Sequence, residues 1–335
     1  MRLSAASAAN DHRLGANEAP PAIISMFIGD ELKEILDAIE SGTSYKGKQK
    51  HEMEIGVTVL PHFPKDSTDR NRTSPFAFTG NKFEFRMLGS TFSIAGPNIV
   101  LNTIVAETLN QFADQLEKSK DFNGDIAAIV KKTYSEHKRI IFNGNNYSDE
   151  WVVEAQKRGL SNLKTTVDAL PRFIEKKSVD LFEKHHVFSG TEVHSRYEIM
   201  MEAYCKTLHI EALTMVDMVK GDIIPACMDY QRELIDLLRQ KKAYGGDNID
   251  RTLEQHFLTS ITKLSACLLN KLIALESVIL ETSQDREILA QATFYRDKVF
   301  TAMSELRLIV DELETLVAKK HWPIPTYAEL LYSVI

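Results

Sequence analysis

Three charged residues alternate with two aromatic residues in one short stretch of the chain, Lys82-Phe83-Glu84-Phe85-Arg86. Successive side chains of a β-strand point to opposite faces of the sheet. A strand here therefore places Lys82, Glu84 and Arg86 on one face and both phenylalanines on the other. Arginine and lysine bind carboxylates and phosphates, whereas a carboxylate suits a hard metal ion. The pattern predicts a surface that binds anionic substrates together with a metal ion.

A second charged pattern precedes this strand and strengthens the prediction. Arg70 and Arg72 are two residues apart, which favours one face of an extended segment. Residues 75–78 are a further predicted strand, and the dipeptide Gly80-Asn81 predicts the turn that joins it to residues 82–88.

The third segment that could take part in chemistry is a loop that displays one carboxylate. Gly15 and the pair Pro20-Pro21 predict an ordered, irregular loop around Glu18. Taken alone, this segment is equally compatible with an ordinary surface connection.

The elements that must position these residues change character near residue 95. Before it, short alternating runs predict strands, including residues 54–60, and one helix at residues 29–39. After it, apolar residues recur at helical spacing. Predicted helices cover residues 97–117, 124–138, a segment beginning at Ser148, 192–219, 250–280 and 286–319. Turns are predicted at Gly221, Gly245-Gly246 and Thr282-Ser283, and the long helices are predicted to pack as an antiparallel bundle.

The bulk properties exclude several classes of protein. The 335-residue chain has a net charge of -7 and a pI of about 5.9, with no basic stripe, so we expect no nucleic-acid partner. We expect no membrane partner, because no apolar run approaches the roughly 18 residues of a spanning helix. The three cysteines, Cys205, Cys227 and Cys267, lack redox or metal spacing and predict reduced, mostly buried thiols in a cytoplasmic protein.

Several ordered motifs give the chain a specific resemblance over essentially its whole length. They are Asn17-Glu18-Ala19-Pro20 after Arg13, Asn71-Arg72-Thr73-Ser74, Phe83-Glu84-Phe85-Arg86 and the closing Trp322-Pro323-Ile324-Pro325-Thr326-Tyr327. Together they resemble the C-terminal portion of the type III glutamine synthetases, the long bacterial form. The resemblance implies an α+β fold class. Residues 1–150 would form the end of the catalytic antiparallel-sheet domain, and residues 151–335 a helical C-terminal domain.

The resemblance also implies a reaction. ATP phosphorylates the side-chain carboxylate of glutamate, and ammonia then displaces phosphate from γ-glutamyl phosphate to give glutamine. The implied substrates are glutamate, ammonium and ATP, the implied metal is Mg²⁺ or Mn²⁺, and the complete enzyme is implied to be a homo-oligomer.

Four residues acquire binding roles by matching the family's motifs. Glu84 matches the strand carboxylate that ligates a metal ion. Arg86 and Arg13 match two arginines that bind glutamate, although Arg13 lies one residue nearer to the loop glutamate than in the best-known bacterial form. Lys82 stands where other members carry an arginine facing the nucleotide, and it would meet phosphate as a point charge.

Two residues acquire catalytic roles in the same way. Arg72 matches the arginine that stabilises the phosphoryl group of ATP and the tetrahedral intermediate. Glu18 matches the glutamate of the flap that closes over the substrate and takes a proton from ammonium. Ala77 stands where many members have another arginine, so it receives no phosphate role.

Other parts of the family's site are expected upstream of the Glu18 loop: further metal-binding carboxylates, a His-x-His segment and a glycine loop. We therefore expect this chain to be the C-terminal portion of a longer enzyme and to be inactive by itself. A genuine split subunit is the other explanation. Two alternative functions stay open at this point, a related ligase acting on another amine and a non-catalytic helical interaction or regulatory subunit that retains a partial site.

Overall fold

The computed structural model describes residues 1–16, 19–45, 52–53, 63–64, 73–282, 287–325 and 327–332. The chain forms two compact units, Met1–Glu198 and Ile199–Ile335. The division into sequence domains at residue 150 stays a prediction.

Helices dominate both units. The described α-helices are α1 (Ala8–Arg13), α2 (Asp30–Ser41), α3 (Ala95–Leu116), α4 (Phe122–His137), α5 (Asp149–Lys157), α6 (Thr166–Ala169), α7 (Lys176–Lys184), α8 (Gly190–Met218), α9 (Ile224–Gly245), α10 (Thr252–Leu280), α11 (Ile288–Phe294), α12 (Phe300–Leu316) and α13 (Tyr327–Tyr332). The helices predicted at residues 29–39, 97–117 and 124–138 are confirmed as α2, α3 and α4. Ser148 is confirmed as the N-cap of α5, because its side chain accepts a hydrogen bond from Trp151 N at 3.3 Å.

The strands are short and lie in the first unit: β1 (Met26–Phe27), β2 (Glu52–Met53), β3 (Phe63–Pro64), β4 (Phe76–Phe78) and β5 (Phe83–Phe85). β4 and β5 pair antiparallel, as predicted, whereas β1 joins β4 in parallel. The sheet β1-β4-β5 is therefore mixed and not purely antiparallel. The reason is the long connection through α2, since a crossover of that length lets two strands run in the same direction. The strand predicted at residues 54–60 lies outside the described residues.

The turn between β4 and β5 forms at the predicted glycine. Thr79 N donates to Lys82 O at 2.9 Å, and Gly80 has a φ of 98°, a conformation that residues with a Cβ adopt only with strain. Phe76, on the face opposite to the charges, contacts both aromatic rings of β5. The ring centroids lie 5.5 Å from Phe83 and 6.1 Å from Phe85. The aromatic cluster fixes which face of the hairpin carries the charges.

The segment after α4 fastens the open edge of the sheet. Phe142 N donates to Met26 O at 2.9 Å, and Ser25 Oγ donates to Asn146 Oδ1 at 2.7 Å. Behind this edge, Trp151 of α5 is fully buried and stacks on Phe142 with a centroid distance of 3.8 Å. The contact places α5 against the sheet-bearing part of the first unit.

The second unit is built around α10, which packs against α9 and α12. Ile261, Leu268, Leu272 and Leu275 of α10 are all buried, which confirms the predicted apolar stripe. Two hydrogen bonds between the helices show the direction of α9 relative to α10. Gln231 bonds Ser265 near the middle, and Lys241 bonds Glu254 at the far end. Partner numbers fall on α10 as they rise on α9, so the two helices are antiparallel.

The predicted turn at Gly221 is wrong. Helix continues from α8 through a π-helical turn, Val219–Ile223, into α9, which the sequence prediction missed. Pro225 explains the wide turn, because a proline ring collides with the carbonyl four residues earlier, here that of Gly221, and a π turn relieves that clash. Val219 and Ile223 are both buried and keep the apolar stripe facing the core.

The helix predicted at residues 286–319 also carries a π turn. The described elements are α11, the turn Tyr295–Val299 and α12, which ends at Leu316. The buried residues Tyr295 and Val299 hold the turn in the core. Among the helices described, none combines the length and apolar character needed to span a bilayer.

Candidate functional site

The predicted charged face exists on β5. Glu84 lies opposite Ala77 of β4, and directly opposite residues of an antiparallel pair point to the same face. Lys82 Nζ lies 3.2 Å from one carboxylate oxygen of Glu84, and Arg86 donates to the other from Nη2 at 2.9 Å and Nε at 3.2 Å. The structure therefore brings Lys82, Glu84 and Arg86 together as one cationic cluster around a carboxylate.

The Arg86 guanidinium and then the Lys82 ammonium hold the pKa of the Glu84 carboxyl below its usual range. The side chain of Glu84 is 37% exposed, while that of Arg86 is only 16% exposed. Glu84 is therefore ionised at neutral pH and accessible to a cation from solvent. Ala77 is fully buried beside it.

Arg13 reaches the same strand from α1. Its Nη2 donates to the carbonyl of Met87, the residue that follows Arg86, and its Nε donates to Asn10 Oδ1 at 3.0 Å. Burial lowers the pKa of the Arg13 guanidinium, although it remains a cation at neutral pH. The structure therefore places the two predicted glutamate-binding arginines on adjoining parts of the fold.

Sequence reasoning missed Asn10, which connects α1 to the end of β5. Asn10 is fully buried, and its Nδ2 donates to Ala5 O at 2.8 Å and to Met87 O at 3.1 Å. No local pattern marks an asparagine as structural, and Met87 is 77 residues away in the chain. The available signal was its position three residues before Arg13, on the same face of a helix.

Asp11, also missed, fastens the other side of α1. Its carboxylate accepts from Thr166 N at 2.8 Å and from Thr166 Oγ1 at 2.9 Å, and it lies 3.6 Å from Arg2 Nη2. Burial raises the pKa of Asp11 to about 6 against the lowering effects of Thr166 and Arg2. The short helix that carries Arg13 is thus bonded both to Met87, just after β5, and to Thr166 of α6.

The described flanks of the loop after Arg13 are hydrogen-bonded to each other. Gly15 N donates to Pro20 O at 3.1 Å, and Ala19 N donates to Ala16 O at 3.2 Å. Gly15 has a φ of 80°, which explains a glycine at this position. Glu18 lies outside the described residues, as do Arg70 and Arg72, so their predicted roles stay predictions.

A cleft of 420 Å³ opens beside this loop in the first unit. Its walls are Gly15 and Ala19 on one side and Tyr147 and Val153 on the other. The cleft is large enough for a small metabolite, and its described wall includes the residues flanking the predicted flap.

The metal prediction finds partial support in the chemistry of the donors. Glu84 offers hard, partly exposed carboxylate oxygens, which fit Mg²⁺ or Mn²⁺. Within the described ranges, no three His, Cys, Asp or Glu side chains lie close enough together to hold a metal ion. Glu84 therefore fits as one ligand, and a complete site needs donors that these residues do not supply.

Comparisons with known proteins confirm the resemblance. Residues 125–242 match the family described as the glutamine synthetase C-terminal domain. The chain is 44% identical to a glutamine synthetase of Butyrivibrio fibrisolvens over all of its own length and 48% of the relative's. It is 39% identical to the type-3 glutamine synthetase of Dictyostelium discoideum, covering 99% of this chain and 46% of the relative. It is 32% identical to a glutamine synthetase of Bacteroides fragilis (strain YCH46), covering 99% and 47%. The chain thus spans about half the length of the curated relatives it matches.

Proposed function

Because this chain matches two glutamine synthetases, one of them a type-3 enzyme, along at least 99% of its length, we propose that it supplies part of the active site of an ATP-dependent glutamate–ammonia ligase. The observation that carries the proposal is the Lys82-Glu84-Arg86 face, with Arg13 held at the end of the same strand. A clustered set of cations around one ionised carboxylate suits two anionic substrates and a metal ion.

The reaction proceeds in two displacements. A side-chain carboxylate oxygen of glutamate attacks the γ-phosphorus of ATP, and ADP leaves with the electrons of the broken P–O bond. The lone pair of ammonia then attacks the acyl carbon of γ-glutamyl phosphate, and phosphate leaves. Ammonium has no lone pair, so a base must first take one of its protons.

The residues of the described face bind and orient the reactants. Arg13 and Arg86 hold the glutamate carboxylates, because a guanidinium presents its donors in a fork that matches a carboxylate. Lys82, the most exposed of the three strand charges, meets the nucleotide phosphates. Glu84 would supply one ligand to Mg²⁺ or Mn²⁺, and a metal ion held there would offset negative charge on the phosphoryl group during its transfer.

The two remaining roles belong to residues outside the described ranges. Arg72 stabilises the charge that develops on the phosphoryl group and on the tetrahedral intermediate. Glu18 receives the proton from ammonium, in a loop whose flanks are bonded from Gly15 to Pro20.

The proposal extends to the organisation of the protein. Residues 1–150 contribute the end of a catalytic sheet domain, and residues 151–335 form a helical C-terminal domain. The enzyme works in the cytoplasm as a homo-oligomer that binds ATP, glutamate and ammonium, with neither a nucleic-acid nor a membrane partner.

The test uses a hybrid enzyme, in which this chain replaces the segment that it matches in the Butyrivibrio fibrisolvens relative. Glutamine formation from glutamate, ATP and ammonium is measured for the hybrid and for the 335-residue chain alone. We expect the hybrid to be active and the chain alone to be inactive. Glutamine formation by the chain alone would show that the site needs no further residues.

Substitution separates the proposal from its rivals. Glu84→Gln should lower kcat of the hybrid at least about 100-fold if the carboxylate binds the catalytic metal ion. Glu117→Gln, at an exposed carboxylate after α3, is the matched control and should leave the activity unchanged. Equal activity of the two variants would contradict the role of Glu84, and a preference for another amine over ammonium would identify a related ligase.

A further inference from the structure

We propose that Asn10 is a positioning residue for glutamate binding, which orients Arg13 and fixes it against the strand end that carries Arg86. The inference rests on the proposed function for its effect on substrate. Its structural basis is the buried Asn10 amide, bonded at the same time to Arg13 and to Met87.

Every strong hydrogen-bonding group of the Asn10 side chain is used. Its two N–H donors bond Ala5 O and Met87 O, and its carbonyl oxygen accepts from Arg13 Nε. The residue is fully buried, so water does not compete for these bonds. An amide bonded to three partners has one orientation. Its hydrogen bond from Arg13 Nε therefore also restrains the orientation of the Arg13 guanidinium.

The arrangement leaves the substrate-binding edge of Arg13 available. A guanidinium has five N–H donors, of which the Nε bond and the Nη2 bond to Met87 O use two. The other three meet no acceptor among the described residues. They include both hydrogens of Nη1, so the pair Nη1 and Nη2 can still form a fork to a carboxylate.

Gly89 provides the space that the Asn10 amide needs. A Cβ at Gly89 would lie 2.8 Å from Asn10 Oδ1, closer than real Cβ contacts, and 3.4 Å from Asn10 Cγ. An alanine at this position therefore displaces the amide without removing any polar group. Gly96 is the matched control glycine, because an added Cβ there meets only ordinary contact at 3.5 Å from Ser4 O.

The kinetic test measures KM for glutamate, KM for ATP and kcat in the hybrid enzyme. Asn10→Ala should raise KM for glutamate about tenfold, since it removes one hydrogen bond to a charged group, and leave KM for ATP within twofold. Gly89→Ala should shift KM for glutamate in the same direction, while Gly96→Ala should not. A change in KM for both substrates alike would indicate a merely structural role and overturn the proposal.

A double substitution tests whether Asn10 acts through Arg13. A lysine at position 13 has no Nε–H to bond Asn10, so adding Asn10→Ala to Arg13→Lys should change KM for glutamate by less than about twofold. A repeated tenfold increase in that background would overturn the proposal.

A second measurement does not depend on catalysis and uses the 335-residue chain alone. The Arg13 Nε–H, which Asn10 holds in the folded chain, should exchange slowly with solvent in ¹⁵N-resolved NMR spectra. Exchange should become at least about tenfold faster in Gly89→Ala, in which the chain keeps all its polar groups. Unchanged exchange would refute the positioning role even if the hybrid makes glutamine, and changed exchange in an inactive hybrid would place the failure in the proposed function.

Discussion

Substitution of Asp11 by asparagine should change how the stability of the first unit depends on pH. Asp11 is an almost buried carboxyl, 12% exposed, and burial raises its pKa from 3.8 to about 6. A raised pKa means that the folded state holds the proton more tightly than the unfolded state. The contribution of protonated Asp11 to the free energy of unfolding is therefore complete below about pH 4 and is lost as the pH rises through about 6.

The size of the effect follows from the shift. A rise from 3.8 to about 6 corresponds to a loss of roughly 3 kcal/mol in the free energy of unfolding across that interval. The asparagine of the variant does not titrate, so the difference between wild type and Asp11→Asn should change by this amount between pH 4 and pH 6.5. Carboxyls with lowered pKa act at lower pH; Glu107, with a pKa of about 2, gives stability that is lost only as the pH falls below 4.5.

The assay needs a signal from the first unit alone, and the two tryptophans provide it. Trp151 is buried in the first unit and Trp322 lies in the second. In a Trp322→Phe background, urea unfolding followed by Trp151 fluorescence gives the free energy of unfolding at each pH. Parallel pH profiles of the protein with and without Asp11→Asn between pH 4 and 6.5 would refute the argument that burial dominates over the pairing with Arg2.

Three further predictions follow from the described contacts. Glu84→Gln in the 335-residue chain should leave the midpoint of urea unfolding unchanged, because the ion pairs of Glu84 are partly exposed, so a lower midpoint would assign Glu84 a structural role. Gly80→Ala should destabilise the first unit by about 1 kcal/mol in the same titrations, because alanine is strained at a φ of 98°, and an unchanged midpoint would contradict that strain. Ellman's reagent at pH 8 should modify the exposed Cys267 first, since Cys205 and Cys227 are buried and burial raises the pKa of each to about 11; equal rates for the three thiols would contradict the packing.

The sequence predicted those features that local chemistry determines. The alternation of charged and aromatic residues determines the two faces of β5. Gly80 determines the turn before it, and Ser148 determines the start of α5. Each of these signals lies within a few residues of the structure that it specifies. The predicted cluster of Lys82, Glu84 and Arg86 formed for the same reason.

The sequence did not predict features that depend on distant partners. Asp11 meets Thr166, 155 residues away, and nothing near Asp11 signals that contact. At Gly221 the error was the opposite, since a local signal predicted a turn that does not form. The helix continues through this position because Val219 and Ile223 are packed in the core. In both cases tertiary packing decided the outcome.

The position of Arg13 shows why these distant contacts matter for the site. α1 has only six residues, too few for a helix to be stable by itself, so its geometry comes from its bonds to other elements. Asn10 ties one side of α1 to the end of β5, and Asp11 ties another side to Thr166 of α6. The position of Arg13 is therefore set by Asn10 and Asp11, which need not contact the substrate themselves. A change at α6 should therefore alter, through α1, the placement of Arg13, which is proposed to bind glutamate, whereas the placement of Arg86 depends on the sheet.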